Sequence, residues 1–394
     1  MTPARHAVVV GGGLGGLAAA VGLRRLGWQV TVLERAAAPR EAGAGISLLT
    51  NAQRALARLG VEVHDLAASM APGGEGLRTP SGHRLQAPAS GSFLRSRGLS
   101  LAILTRPELH ARLRAALPES WLVHGAEATD VTDFGYCALV TYRGPRGSRT
   151  VRGDVVIAAD GAHSRVRNIL FPGLARPVYS GHSVWRGIAS GVDGSSERGG
   201  STWGRGLEFG RMPLTGDRVY WFAVANTPEG ARYRDHHREV LRRFGSWHTP
   251  IPALIAATPP DRILHHDVME LAEPPPSYAS GRIALLGDAA HAMTSDLGQG
   301  ACQAFEDAVV LCASLAASPD DPVQALADYD VRRRPRAQGI AVASRAMGRR
   351  KLTERRGEIL RRNLAMRLRG PRAGQEGMAR VGDWTPPDLQ GAER

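Results

Sequence analysis

Three times along this chain an all-apolar run ends in a glycine. Val8–Val10 leads into Gly11-Gly12-Gly13-Leu14-Gly15-Gly16, Val155–Ala158 into Ala159-Asp160-Gly161, and Ile283–Leu286 into Gly287-Asp288. Such runs read as buried strands that leave a sheet through a tight turn. Around them the pattern predicts strands at Ala7–Val10, Gln29–Leu33, Val155–Ala158 and Arg282–Leu286. It predicts helices at Leu14–Leu26, packing through Leu17, Val21, Leu23 and Leu26, at Pro107–Leu117, and from Gly298 toward Leu315. Between about Pro172 and Ser280 the pattern changes to short alternating runs, Ser183–Ile188, Leu207–Met212 and Val219–Ala225, broken by Gly, Pro and Asp. That is the signature of an antiparallel sheet. Asp328–Arg369 reads as largely helical, with clustered arginines among Ile340, Val342, Met347, Leu352, Ile359, Leu360 and Leu364.

The first glycine run fits G-x-G-x-x-G through Gly11, Gly13 and Gly16, set between a strand and a helix. The first glycine makes the turn, the second lets a pyrophosphate reach the backbone, and the third lets helix and strand lie close. The amides at the helix start then meet the phosphate charge. Glu34 follows about 20 residues on, where a carboxylate binds ribose hydroxyls and disfavours a 2′-phosphate, so FAD or NAD fits better than NADP. Leu14 and Arg35 complete the candidate set at this turn. The expected fold is α/β. A Rossmann-like FAD-binding domain is assembled from 1–171, with some strands of a second domain inserted, and from 281–372 with C-terminal helices. A mixed or antiparallel substrate-binding sheet domain occupies 172–280, and 373–394 reads as a loose tail.

In this order and spacing the three segments resemble the FAD-dependent aromatic-ring hydroxylases, the para-hydroxybenzoate hydroxylase family, over nearly the whole chain. The resemblance implies a noncovalent FAD. It implies that Gly43–Asn51 runs along the flavin, with Thr50 replacing a usual proline, and that Arg106, in an R-x-x-L pattern with Leu109, contacts FAD. Ala128 would offer backbone to the adenine, and Asp160 opens a D-G-x-x-S-x-V-R run tied to FAD and to transient nicotinamide. There Arg165 and Arg167 are candidates for pyrophosphate contacts. Asp288 would bind the ribityl chain, while Gly298, Gln299, Gly300 and Ala301 aim amides at the flavin. His291, within G-D-A-A-H, is structural in the family.

Trp185-Arg186-Gly187 resembles a W-R-G element of enzymes acting on small aromatic or heteroaromatic compounds. Arg186, Phe209, Trp221 and Ser295 are therefore the candidate substrate-binding residues. Ser295 stands where relatives carry a proline, and Asp296 adds a charge beside it. The implied reaction takes electrons from NADH or NADPH, adds O2 at flavin C4a, and transfers oxygen from the hydroperoxide to an electron-rich ring. No catalytic residue is assigned, because in such enzymes the chemistry belongs to the cofactor. Two alternatives stay open: epoxidation, Baeyer–Villiger or antibiotic-modifying oxidation on the same scaffold, and a non-catalytic FAD-binding partner protein with a basic C-terminal surface.

Composition changes this picture little. The net charge is +13, but Lys351 is the only lysine among 50 basic residues, so the basicity is almost wholly arginine and fits coding bias better than specific nucleic-acid binding. The arginine-rich C-terminal region reads either as a basic amphipathic surface or, more simply, as helices packed on the FAD domain with a solvated arginine face. Three cysteines without metal-like spacing fit a reduced, cytoplasmic protein, and no metal is expected. No run of about 18 uninterrupted apolar residues predicts a transmembrane helix. A monomer or homodimer is expected, with a small aromatic substrate and O2 as partners.

Overall fold

The structure, a computed structural model, describes residues 5–38, 44–70, 74–88, 96–192 and 199–389. Gly43, the first glycine of the expected flavin-side run, lies outside them. A six-stranded sheet gathers the three glycine-ended runs. Its order is Ala279–Ser280, Ile283–Leu285, Val155–Ala158, His6–Val10, Gln29–Glu34 and Leu122–His124, parallel except for the first pairing. Val8 stands in register with Val156, and Val156 with Ile283. The three turns therefore leave adjacent strands at one carboxyl edge, which is where open α/β sheets bind ligands.

The strands are apolar on both faces because both are covered. Helices Leu14–Arg25 and Gly300–Ala317 pack together on the sheet, and the antiparallel strands Glu127–Asp133, Ala138–Gly144 and Gly147–Gly153 contact it as well. Gly11 has φ +109°, and a Cβ there would lie 2.3 Å from the Ala159 carbonyl oxygen. At Gly16 a Cβ would meet the Gly11 carbonyl oxygen at 2.0 Å, so only glycine lets the helix start this close to the turn. Helix Gly300–Ala317 is long and apolar enough to cross a membrane by composition, but it is a core helix, 78% buried in the protein.

A seven-stranded sheet forms the second layer. Its order is Leu264–Glu270, Val178–Ser190, Arg218–Asn226, Leu207–Leu214, Gly200–Trp203, Leu77–Arg78 and Arg84–Gln86. The two strands at one edge, Leu77–Arg78 and Arg84–Gln86, thus come from the first quarter of the chain. One face packs on helices His236–Phe244 and Ile251–Ala256 through Trp185, Phe209, Trp221 and Phe244. The other face turns toward the six-stranded sheet.

Two long helices, Pro322–Lys351 and Arg356–Gly382, close the chain. The last is anchored by Met366, which is buried with Leu77, Leu85 and Trp203. The expected loose tail differs from what is seen in its described part. The helix continues to Gly382, Trp384 and Leu389 pack against the main core, and Arg58 pairs with Asp388 at 2.5 Å. Gly and Pro mark that segment as irregular, but its two large apolar side chains have a surface to cover.

Candidate functional site

One cavity of about 1200 Å³ runs from the glycine turn of the first strand to the inner face of the seven-stranded sheet. That exceeds the range of about 300–1,000 Å³ usual for one small ligand. It has room for a long dinucleotide and a second molecule at its end. Of the sequence-derived cofactor candidates, these line it: Gly11, Gly13, Leu14, Gly16, Glu34, Arg35, Arg106, Ala128, Asp160, Asp288, Gly298, Gln299, Gly300 and Ala301.

The dinucleotide end is built from backbone donors. Helix Leu14–Arg25 starts at Gly13 with no side-chain cap and no acid in its first turn, and a Cβ on Gly13 would meet nothing within 4 Å. Open space thus faces uncapped amides, which is a cradle for a pyrophosphate. Glu34 Oε2 accepts from the Gly12 amide at 2.8 Å and Oε1 from Ala36 at 2.7 Å, which fixes the carboxylate at the cavity wall. Asp160 Oδ2 accepts from the amides of Arg165 and Val166, capping the helix that follows, while its buried Oδ1 has no partner within the protein. Arg106 opens helix Arg106–Ala115 behind a capping box formed by Thr105 and Glu108.

Arg165 reaches the cavity but Arg167 does not. Arg167 is fully buried and donates to the carbonyls of Ala289 and Ala162, so it ties two motif loops together and is no pyrophosphate ligand.

At the opposite end, helix Gly300–Ala317 also starts without a side-chain cap or an acid in its first turn, after Gly298 in the left-handed region at φ +64°. Its positive end suits the charge of a reduced flavin. A buried network holds this helix. Asn51 Nδ2 donates to Gln299 Oε1 and Glu306 Oε1, and Arg333 donates to Glu306 and Asp307 at 2.6 and 2.7 Å. His291 lies 2.6 Å from Asp307 Oδ2, inside that network and away from the cavity lining, as a structural residue would. Open phosphate cradles at one end and an uncapped helix start at the other fit FAD.

The substrate candidates divide. Arg186 and Ser295 line the cavity, but Phe209 and Trp221 do not. They are stacked 5.6 Å apart, 1% and 0% exposed, in the core beneath helices His236–Phe244 and Ile251–Ala256. Strand alternation puts Tyr220 and Phe222 on the cavity face and Trp221 on the other. The cross-strand partner of Phe222 is Arg186, and that of Phe209 is Ala223. The face bearing Arg186 and Glu208 carries charge into the cavity, whereas Trp185, Phe209 and Trp221 form an apolar cluster on the other face. Alternation pairs the residues of each face but does not tell which face meets the ligand, which is why Phe209 and Trp221 are expected there from the sequence.

Tyr220 is 6% exposed, and burial pushes its phenol above the ordinary value. The hydrogen-bonding Arg186 guanidinium offsets this only in part, so the hydroxyl is neutral at physiological pH. Met212, Val224, Leu264 and Met293 add apolar wall. Composition singled out Lys351 only as the sole lysine, yet its ammonium lies in the cavity wall with Glu208 and Asp296. The loop at Ser295 is clamped from helix Pro322–Lys351. Ser344 Oγ donates to the Thr294 carbonyl at 2.7 Å, and a Cβ on Gly348 would sit 2.4 Å from Asp296 Oδ2. These contacts span some 50 residues of sequence and leave no local pattern.

The family described as FAD binding domain matches residues 5–344. The chain belongs to it. Among its relatives, the aurachin C monooxygenase/isomerase of Stigmatella aurantiaca is 36% identical over 350 residues, covering 86% of this chain and 88% of that protein. The FAD-dependent urate hydroxylase of Mycolicibacterium vanbaalenii is 32% identical over 347 residues, covering 86% of each. The solved structure of Klebsiella pneumoniae HpxO complexed with FAD and uric acid superposes with a TM-score of 0.88 at 26% identity, over 97% of both chains. This is an FAD-dependent oxidoreductase of the aromatic-hydroxylase-like monooxygenase family, with the expected α/β fold.

Proposed function

We propose that the protein takes electrons from NADH or NADPH and inserts one oxygen atom of O2 into a small aromatic or heteroaromatic ring, in the cytoplasm. The balance is ring–H plus O2 plus NAD(P)H plus H⁺ to ring–OH plus water plus NAD(P)⁺. The observation that carries this reading is a cavity joining the dinucleotide cradle to a pocket in which the Arg186 cation lies beside a neutral phenol, Tyr220. Bound FAD supplies the reduction of O2 and the oxygen to be transferred.

The protein's residues do the rest. Gly13, Glu34, Asp160 and Asp288 hold the dinucleotide, and the start of helix Gly300–Ala317 stabilises negative charge on its ring. Arg186 attracts an ionised ring oxygen or nitrogen, and an anionic ring is the electron-rich form that accepts oxygen. Urate, on which relatives act, is a ring of this kind. Tyr220 offers its hydroxyl to the same group, and Phe222, Met212 and Leu264 exclude water from it. Three buried free thiols, Cys137, Cys302 and Cys312, support a reducing compartment.

The test is anaerobic mixing of the purified flavoprotein with NADH or NADPH, alone and with a panel of phenols and nitrogen heteroaromatics. One compound should accelerate loss of the visible flavin absorbance, and readmitted O2 should then yield its hydroxylated product. Flavin that stays oxidised across the panel overturns the proposal.

A further inference from the structure

The last helix presents an outer face that the reaction does not use. Its inner side is anchored. Met366 packs with Leu77 and Trp203, and buried Arg362 donates to the Lys351 carbonyl at 2.6 Å with its guanidinium 5.5 Å from the Trp203 ring. On the outside, Leu360, Leu364 and Leu368 are 72%, 56% and 77% exposed. Spaced four apart, they form one row along the helix. A single exposed leucine needs no explanation, but a contiguous row does.

The neighbours of that row carry one sign of charge. The other exposed positions between Arg356 and Leu368 are Arg356, Gly357, Arg361 and Arg367, with no carboxylate among them. At 100° per residue, Arg361 and Arg367 fall about 60° to either side of Leu364. A leucine stripe with an arginine on each flank suits the interface of an anionic bilayer. The leucines enter the acyl boundary, and the guanidiniums reach outward along their stems to pair with phosphates. A second copy of the chain fits this face poorly. A two-fold contact would set Arg361 and Arg367 against their own copies, and the acid bordering the face, Glu358, is already held by Thr353 and Arg355. The net charge of +13 draws the whole protein toward the same kind of surface.

We propose that Leu360, Leu364 and Leu368, with Arg361 and Arg367, form a docking surface for an anionic phospholipid bilayer, on which the protein lies peripherally. Leu77 and Trp203 both line the cavity and belong to the same apolar cluster as Met366. The docked helix and the cavity therefore share one wall.

The test is flotation of the full-length, FAD-loaded protein with vesicles of phosphatidylcholine alone or of equal parts phosphatidylcholine and phosphatidylglycerol. The protein should float with the anionic vesicles and less as salt rises. R361Q/R367Q should lower the partition about 25-fold at low salt, at about fivefold per arginine near the surface. L360S/L364S/L368S should lower it at least tenfold, with flavin content and melting temperature unchanged because these side chains make no core contact. Wild-type protein that stays with the soluble fraction overturns the proposal, as does a triple variant that floats as well as wild type. A concentration-dependent dimer that the triple variant loses, without vesicle binding, would assign the face to a second copy instead.

Discussion

Lys351 Nζ lies 3.1 Å from Glu208 Oε2, with only 10% and 4% of the two side chains exposed. Glu208 Oε1 accepts from Ser201 Oγ and Trp203 Nε1, and the ammonium also donates to the Asp296 carbonyl at 2.8 Å. One ion pair thus joins the substrate sheet, the loop before the flavin-side helix and the end of the penultimate helix. Removing one partner of a buried pair costs about 3–5 kcal/mol, because the other charge is stranded. K351M should therefore lower the urea midpoint with its slope unchanged, and K351M/E208Q should recover part of the loss, since Asp296, 3.7 Å from the ammonium, still loses its cation. Equal stability of K351M and wild type would show that the pair does not hold these elements together.

The parts of this molecule that depend on short-range rules were legible. Strand Val155–Ala158 has the bounds its apolar run indicates, and the glycine turns sit where a strand must give way to a helix. Alternation correctly separated Tyr220 and Phe222 from Trp221. What it lacked was the identity of each side, because a sheet with a helical layer on one face and a cavity on the other carries large aromatic side chains on both. The Lys351 and Ser344 contacts were illegible for a different reason. They depend on how a helix near the C-terminus crosses a loop some 50 residues earlier, and no periodicity encodes that crossing.

The two faces of the substrate sheet should respond differently to mutation. R186Q removes a charge-assisted contact worth about 1.5–3 kcal/mol, so kcat/KM for an ionisable ring substrate should fall about 10- to 100-fold with the melting temperature held. F209A empties a fully buried site and should cost about 3–5 kcal/mol of stability, with KM unchanged for the folded enzyme. A KM effect of F209A matching that of R186Q would place Phe209 at the substrate after all.

Acid should weaken the fold in two stages. Burial, with His236 5.2 Å away, pushes His265 down to about 4, below the ordinary value of about 6.5. The unfolded chain then binds the extra proton between these values. Stability is full above about pH 6.5 and is lost as pH falls toward 4. Burial raises Asp307, but His291 and Arg333 outweigh it and leave the carboxyl at about 2. Its contribution is present above about pH 4 and lost as pH falls toward 2. Urea unfolding across this range should show H265Q flattening the slope between pH 6.5 and 4 only. An unchanged slope there would remove His265 from the account.

Ser295 occupies a backbone already shaped for the proline that the family resemblance leads one to expect. Thr294 before it is extended, at φ −61° and ψ 153°, the conformation preferred ahead of proline. Ser295 itself opens the short helical turn Ser295–Leu297, where a missing amide proton costs nothing. S295P should therefore fold normally and gain about 0.4–1 kcal/mol by restricting the unfolded chain. Activity then isolates what the serine contributes. If its hydroxyl or amide binds substrate, S295P should raise KM several-fold and lower the product formed per NAD(P)H oxidised, with the surplus appearing as hydrogen peroxide. Unchanged KM and coupling in a stabilised S295P would show that the serine fills the proline site without a role in substrate binding.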